Sequence, residues 1–358
     1  MTWDRHDAPP VGDTGVAAGH VRAGAGDVRA GASAATAPLR VVALFGPTGV
    51  GKTAVAIALA DLLRAEGEDP VAVSADALQL YRGLETLTGA ATAAERARLE
   101  HRLVGILPVT ARATAGDYAR RAHAEIDGLL ARRRRPIVVG GTGLYLRAAL
   151  TDLDLRPPPD PAIRARRREQ LSARGAPALH AELAERDPRA AAAVLPTDAQ
   201  RVVRALELLD AGSAPPAPAP GAGGLWTAAT RHPTLLAALT MERDALYARI
   251  DARVEAMLAA GAAAEAQRAA AAGASPGARQ ALGFEALLRG DVEAMRRATR
   301  RYAKRQLTWL RKLPGVVTID VTGRDAQAVA LDVRSALRAA ADSSSPPMNR
   351  ENGPTTAQ

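Results

Sequence analysis

The sequence of 358 residues lacks cysteine altogether, and it has few aromatic side chains and no long apolar run. Without cysteine the chain cannot form disulfides, thiolate zinc sites, iron–sulfur clusters or a cysteine nucleophile. No apolar run approaches the roughly 18 residues of a membrane-spanning helix. The six histidines are scattered and form no H-E-x-x-H pattern. Aromatic residues make up only 3%, so a core must be built from alanine, leucine and valine.

The N-terminal segment has no apolar stretch of the kind found in secretory signals, so we expect a cytoplasmic protein. The formal net charge is +9, and the pI is near 10.6. Two explanations of this charge remain open. One is the arginine-rich composition of a GC-rich genome, and the other is an anionic partner such as nucleic acid.

Apolar runs alternate with turns and helical patterns, which predicts a parallel sheet with helices on its faces. The predicted strands are 39–45, 71–74, 136–139, 234–240 and 316–321, and the main predicted helices outside the insertion are 116–135, 243–260, 262–272 and 292–313. From 160 to 210 the pattern is helical, without a strand. The predicted fold class is α/β, a P-loop NTPase-like parallel sheet core with a helical insertion domain and a helical C-terminal region.

Composition shifts divide the chain into five expected segments. They are a disordered extension at 1–38, an α/β core at 39–155 and 225–340, a helical insertion at 156–212, a Pro/Ala/Gly linker at 213–224 and a disordered tail at 341–358.

A phosphate-binding loop is the strongest single motif. It reads Gly46, Pro47, Thr48, Gly49, Val50, Gly51, Lys52 and Thr53, and it follows a predicted strand and opens a predicted helix. Glycines let the backbone wrap a phosphate chain, while amide hydrogens and the helix N-terminus point at its oxygens. Lys52 adds a cation, and Thr53 can ligate Mg²⁺. The motif predicts a di- or triphosphate ligand, but it does not define a reaction.

Five further segments follow this loop in a fixed order. They are Ser74–Gly83 (SADALQLYRG), Val139–Tyr145 (VGGTGLY), Asp198–Glu207 (DAQRVVRALE), Gln280–Glu285 (QALGFE) and Arg301–Trp309 (RYAKRQLTW). The ordered set resembles the bacterial tRNA dimethylallyltransferase family, the isopentenyl-tRNA transferases, over about residues 39–321. The sequence departs from the family pattern at Ala77, where serine is common, and at 84–91 and 101–105, which lack a usual lysine and acid.

The resemblance implies transfer of a dimethylallyl group from dimethylallyl diphosphate to N6 of the adenosine next to the anticodon, in tRNAs that read codons beginning with U. The phosphate loop then holds diphosphate as a leaving group, with Mg²⁺ as the cofactor. The implied partner is the anticodon stem-loop of tRNA. We expect a monomer with no membrane association.

Asp76 follows a predicted strand, at the sheet edge where ligands bind in open α/β folds. We assign it as the general base, because the exocyclic amine of adenine is a poor nucleophile. The alternative is that Asp76 holds Mg²⁺ through water or caps a helix. Thr48 is a further catalytic candidate, with a hydroxyl for a diphosphate oxygen. By resemblance Arg243 is a candidate diphosphate clamp, and an ordinary surface arginine is the alternative.

The adenine must leave its stack to reach a buried allylic carbon. We expect Asp76, Ala77, Leu78 and Gln79 to read it, and Thr142 either to face the same crevice or to cap a helix. The resemblance places Arg164, Gln200, Arg201, Val202, Val203 and Arg204 on the RNA. Arg201 and Arg204 are i, i+3 neighbours that share a helix face, which could also be only solvated.

Residues 291–313 carry eight cations against two acids. Met295, Tyr302 and Trp309 keep helical spacing and should face the core, which leaves a basic face outward. We expect this face to bind RNA phosphates, although a solvated charge run is the usual explanation of such a pattern. Trp309 is assigned to the core rather than to base stacking.

Three other functions remain open at this point. A small-molecule kinase on the same fold would transfer phosphate and would not need the basic helix. A prenyltransferase acting on free adenine nucleotides would not need the 200–204 and 301–309 elements. An RNA-binding protein without catalysis would not need Lys52, Thr53 and Asp76 together.

Overall fold

The computed structural model describes residues 41–156, 158, 160–213 and 225–342. The expected extension 1–38 lies outside these residues, and so does the expected linker 213–224 apart from its first residue. The expected tail 341–358 also lies outside, apart from two residues that complete the last helix.

Six parallel strands form one sheet. They are β1 (Val41–Phe45), β2 (Pro70–Ser74), β3 (His101–Arg102), β4 (Arg135–Gly140), β5 (Thr234–Thr240) and β6 (Val316–Asp320), in the spatial order β3-β2-β4-β1-β5-β6. The five predicted strands and the predicted parallel sheet are confirmed. Strand β3 escaped prediction because its two polar residues carry no apolar pattern.

Helices cover both faces of the sheet and form the insertion. They are α1 (Lys52–Ala65), α2 (Glu85–Thr88), α3 (Ala93–Arg98), α4 (Ala115–Ala131), α5 (Gly143–Leu150), α6 (Pro161–Arg186), α7 (Pro188–Ala192), α8 (Ala199–Asp210), α9 (Arg243–Ala259), α10 (Ala262–Ala271), α11 (Phe284–Leu288), α12 (Val292–Leu310) and α13 (Ala326–Asp342).

The central strand β1 is buried on both faces, as expected of a strand in a parallel sheet. Val42 and Leu44 join a core with apolar residues of α1, α9 and α13. Val41, Ala43 and Phe45 join a second core with α4 and α5. The alternation fixes the strand's register, and so it fixes where the chain leaves the sheet at Gly46.

The neighbouring strands β2, β4 and β1 all end at the same edge of the sheet. Their backbones stay close beyond the strands, since the Ala75 amide donates to the carbonyl of Val139 at 2.8 Å. A Cβ on Gly140 would lie 2.3 Å from the carbonyl oxygen of Ala75, so only glycine fits there. This edge therefore brings together the three loops that follow β1, β2 and β4.

The insertion between β4 and β5 has its own small core, in which Leu179, Leu183, Val202 and Leu206 are fully buried. A charge network joins α6 to α8. The nearly buried guanidinium of Arg167 donates to both carboxylate oxygens of Asp210, at 2.6 and 2.7 Å, and to Glu182. These bonds hold the pKa of Asp210 well below its usual range.

We expect Asp210→Ala to lower the free energy of unfolding by about 3 kcal/mol, because it leaves the Arg167 charge without its main partner. Urea unfolding measures this. The control is Asp61→Ala, which removes exposed pairs with Arg64 and Arg98 and should cost under about 1 kcal/mol.

The same pair has a pH signature. A lowered pKa in the folded state stabilises the protein above about pH 4 and loses that effect as pH falls further. The stability difference between the wild-type chain and Asp210→Ala should therefore shrink below about pH 4. A difference that grows on acidification would contradict this assignment.

Candidate active site

The phosphate loop connects β1 to α1, as its sequence context predicts. Gly51, immediately before α1, has φ +97°, a conformation that favours glycine. The first turn of α1 contains no acidic residue, so its free amides and positive dipole end stay available to an anion.

Lys52 opens α1 and turns back over the loop. Its Nζ donates to the carbonyls of Gly46 and Pro47, both at 2.9 Å. Burial lowers the pKa of Lys52 to about 8; the nearby Arg253 charge adds to the shift and the Asp76 charge opposes it. A bound anion would favour the charged form of this lysine.

Asp76 lies two residues beyond the end of β2. Its Oδ1 accepts a hydrogen bond from the Leu78 amide at 2.9 Å, which fixes the carboxylate in a tight turn. Burial raises the pKa of Asp76 above its ordinary value, while the Leu78 amide and the Lys52 charge partly offset the rise. A carboxylate with a raised pKa is a better proton acceptor than an exposed one.

One cavity of about 700 Å³ unites these groups. Of the predicted site residues, its walls contain Thr48, Gly51, Lys52, Thr53, Asp76, Leu78 and Gln79. The carboxylate and the phosphate loop therefore face the same space. Ala77, Thr142 and Arg243 are not among the residues that line it.

Gln79 has a defined orientation at the cavity wall. The Ser74 hydroxyl donates to its Oε1 at 3.0 Å, and its Nε2 donates to the carbonyl of Gly89 at 3.5 Å. Both ends of the amide therefore have a partner, which fixes the orientation of this side chain.

The structure places the clamp candidate Arg243 apart from the cavity. Arg243 is exposed at the start of the helix, whereas Arg249 and Arg253 of the same helix line the cavity. Arg253 donates to the Gly89 carbonyl at 3.1 Å, and burial lowers its pKa. The sequence contained a signal for it, because Arg253 falls three residues after the buried Ile250, on the inward face of α9.

Helix α12 adds side chains that sequence reasoning assigned to the core or left out. Tyr302 lines the cavity, and its hydroxyl lies 2.9 Å from the Thr142 hydroxyl. Thr142 precedes α5 but makes no side-chain capping bond to it. Gln306, which was not predicted, is buried against the loop, where its Oε1 accepts from the Thr48 amide at 2.8 Å.

The predicted RNA residues of α8 differ in exposure. Gln200 and Arg201 are exposed, while Arg204 is half-buried and donates to Glu207 and to the Arg156 carbonyl. Arg164 also bonds Glu207, at 3.1 Å. The side chains of Val202 and Val203 are buried in the insertion core, so only their backbone could contact RNA, and their assignment to the RNA stays a prediction.

The basic face of α12 is also divided. Arg296 and Arg300 pair with Glu255 and Asp251 on α9. Further along, Arg301, Lys304 and Arg305 are exposed, and within the described ranges none of them has a carboxylate within 4.0 Å. Trp309 packs against Trp226, with ring centroids 4.6 Å apart, and is partly buried against the core.

Searching only the residues that the structure describes, we find no cluster of three metal-ligating side chains and no helix with the length and apolarity to cross a bilayer. The parallel sheet and the loop-lined cavity define a phosphate-loop α/β protein with a half-buried carboxylate on the wall of the same cavity.

Comparisons with known proteins are consistent with this class. The family model described as IPP transferase matches residues 79–313, and the one described as isopentenyl transferase matches residues 39–106. The chain is 45% identical over 295 residues to the tRNA dimethylallyltransferase of Anaeromyxobacter sp. (strain K), covering 78% of this chain and 93% of that one. For the same enzyme of Thermobifida fusca (strain YX), identity is 41%, covering 77% and 88%.

A solved structure, the tRNA isopentenylpyrophosphate transferase of Bacillus halodurans, is 31% identical with a TM-score of 0.60, covering 85% of this chain and 98% of that one. A eukaryotic dimethylallyltransferase acting on tRNA shares the fold at a TM-score of 0.62, covering 79% of this chain and 74% of that one. The chain therefore belongs to the IPP transferase family, the family of the tRNA dimethylallyltransferases.

The two arginines of α9 give a matched test of the anion site. We expect Arg253→Ala to weaken the binding of inorganic pyrophosphate with Mg²⁺ at least about tenfold, since it removes a buried cation from the cavity. Arg243→Ala should stay within about twofold of the wild-type chain. Titration calorimetry measures both, and equal losses would show that Arg243 contributes to the anion site as much as Arg253.

Proposed function

We propose that this chain transfers a dimethylallyl group from dimethylallyl diphosphate to N6 of the adenosine next to the anticodon of tRNA, and releases diphosphate. One observation carries the proposal: in a member of this family, a phosphate loop and a desolvated carboxylate line the same cavity. The loop can bind the diphosphate as it leaves, and the carboxylate can accept the proton that N6 loses.

The donor side uses cations already on the cavity wall. As the allylic C–O bond breaks, negative charge grows on the diphosphate, and positively charged groups that are already in place stabilise it. Lys52, Arg253 and the amides at the start of α1 are these groups. The Thr48 hydroxyl reaches the same space and is available to a diphosphate oxygen.

The donor set also fits Mg²⁺. Thr53 supplies a hydroxyl at the cavity wall, and the described residues offer no cage of carboxylates that would hold a cation without substrate. Magnesium usually binds through one or two protein oxygens together with substrate phosphates. When bound, the ion would neutralise charge on the departing diphosphate.

The acceptor side uses Asp76. An extruded adenine that enters the cavity meets Gln79 and Asp76, with its N6 facing the carbon that bears the diphosphate. The new N–C bond forms as the C–O bond breaks, and Asp76 takes the proton that N6 loses. The products are the prenylated base, free diphosphate and protonated Asp76, and together they contain all the atoms and charges of the reactants.

The exposed cations favour a tRNA substrate over a free nucleotide. Arg301, Lys304 and Arg305 lie on the outer face of the helix whose inner face lines the cavity. A protein acting on a free nucleotide needs no such unpaired surface charge. The same argument weighs against a small-molecule kinase.

The direct test is incubation of the protein with labelled dimethylallyl diphosphate, Mg²⁺ and an anticodon stem-loop that carries adenine 3′ of the anticodon. We expect label on the RNA and none on AMP. Label on AMP alone would favour the free-nucleotide enzyme, and phosphoryl transfer from ATP would favour the kinase.

Asp76→Ala and Asp76→Asn should both reduce transfer by at least about 100-fold, because neither side chain accepts the N6 proton. Binding of the stem-loop should remain within about threefold, which filter binding measures. Wild-type turnover in either variant would remove Asp76 as the base.

The raised pKa of Asp76 predicts a pH dependence. The base is active when ionised, so kcat/KM should fall as pH drops through the pKa of Asp76, above the ordinary value of 3.8. Pyrophosphate binding should not follow this limb, and a flat acid limb down to about pH 4 would contradict the assignment.

The RNA face gives a separate prediction. Replacing Arg301, Lys304 and Arg305 together by alanine should raise the KM for the stem-loop and reduce the salt slope of binding by about 2, at about 0.7 per phosphate contact. The KM for dimethylallyl diphosphate should hardly change. As a control, Arg297→Ala removes another exposed arginine of α12, which faces Asp291 at 3.9 Å, and should leave the slope nearly unchanged.

A further inference from the structure

Gln306 is a polar side chain on the buried face of α12. It is only 4% exposed, and it shares that face with Met295, Thr299 and Ala303. A buried amide needs partners at both its ends, or its burial is unfavourable. The partners of Gln306 therefore indicate why glutamine, and not an apolar residue, occupies this core position.

The amide of Gln306 bridges two loops of the sheet edge. Its Oε1 accepts from the Thr48 amide of the phosphate loop, and its Nε2 donates to the Gly141 carbonyl after β4, both at 2.8 Å. One partner only donates and the other only accepts, so a flipped amide would lose both bonds. The bridge has a single orientation.

Gly141 makes room for this bridge. A Cβ at that position would lie 2.1 Å from the Gln306 Nε2 and 3.0 Å from the Gly46 carbonyl oxygen. The two loops thus lie close together at Gly46 and Gly141, and the amide bonds to both loops there. Any side chain at Gly141 would displace it.

The bridge takes up one amide of the phosphate loop. The Thr48 N–H donates to Gln306, which fixes the orientation of the peptide between Pro47 and Thr48. This holds the remaining loop amides, Lys52 and the Thr48 hydroxyl in fixed positions relative to a bound anion. The other partner, Gly141, precedes Thr142, which bonds Tyr302 on the same helix.

We propose that Gln306 is a positioning residue of the diphosphate site: it holds the phosphate loop against the loop after β4 and ties both to helix α12. The inference deepens the proposed function and rests on it for the identity of the ligand. Gln306 acts through the loop backbone and takes no part in the bond changes.

Inorganic pyrophosphate with Mg²⁺ is the probe, added to the full chain and followed by titration calorimetry. Gln306→Leu puts an apolar side chain of similar size in place of the amide and removes both hydrogen bonds, and we expect its Kd for pyrophosphate to rise at least tenfold. Gly141→Ala should have a similar effect because its Cβ displaces the amide. The double variant should bind about as weakly as either single variant, since both changes remove one interaction.

The matched control is Leu337→Ala, a buried α13 side chain that is not on the cavity wall. It should lower the Tm but leave the Kd for pyrophosphate within twofold. If Gln306→Leu does not fold, Gly141→Ala provides the same test. A folded Gln306→Leu or Gly141→Ala that binds pyrophosphate within twofold of the wild-type chain would overturn the proposal.

Kinetics separate positioning from a general loss of structure. In Gln306→Leu the KM for dimethylallyl diphosphate should rise at least tenfold, while the KM for the stem-loop changes less than threefold. A parallel rise in both would also contradict the inference. If the wild-type chain binds pyrophosphate but transfers no prenyl group, the proposed function fails and the pyrophosphate comparison still decides the role of Gln306.

Discussion

The opposite charges of Lys52 and Asp76 share one desolvated cavity, and the rest of the site depends on this arrangement. Burial disfavours both charged forms, which lowers the pKa of the lysine and raises that of the carboxyl group, while each charge partly offsets the shift of the other. Lys52 is held by the Gly46 and Pro47 carbonyls and Asp76 by the Leu78 amide, and both side chains line the cavity. The lysine can bind an anion, and the carboxylate can accept a proton.

The sheet is what brings these charges together. Parallel strands release their chains at one edge, and β1, β2 and β4 are neighbours there. Two helices from the second half of the chain complete the cavity, α9 with Arg249 and Arg253, and α12 with Tyr302 and Gln306. Because α12 also carries exposed cations, one rigid element joins the proposed RNA surface to the anion site.

Local patterns were sufficient to predict five of the six strands described here, the phosphate loop and the place of Asp76 at the sheet edge. These features depend on residues adjacent in sequence, where periodicity and glycine positions constrain the backbone. Tertiary packing decides what these patterns leave open. Arg253 lines the cavity and Arg243 does not, and the side chains of Val202 and Val203 are buried, as the apolar spacing of α9 and α8 indicates.

Gln306 shows a different limit of sequence reasoning. Its partners are main-chain groups 258 and 165 residues away, and no local pattern specifies them. The clue was a polar residue on the buried stripe of an otherwise amphipathic helix. Such a residue indicates a partner to be found, but only the fold shows which one.

The most direct measurement is a crystal structure of the chain with an anticodon stem-loop and an unreactive thio-analogue of dimethylallyl diphosphate. The account predicts diphosphate on the phosphate loop, and the adenine N6 within about 3.2 Å of the Asp76 carboxylate, facing the allylic carbon. An adenine held outside the cavity, or an N6 turned away from Asp76, would contradict it.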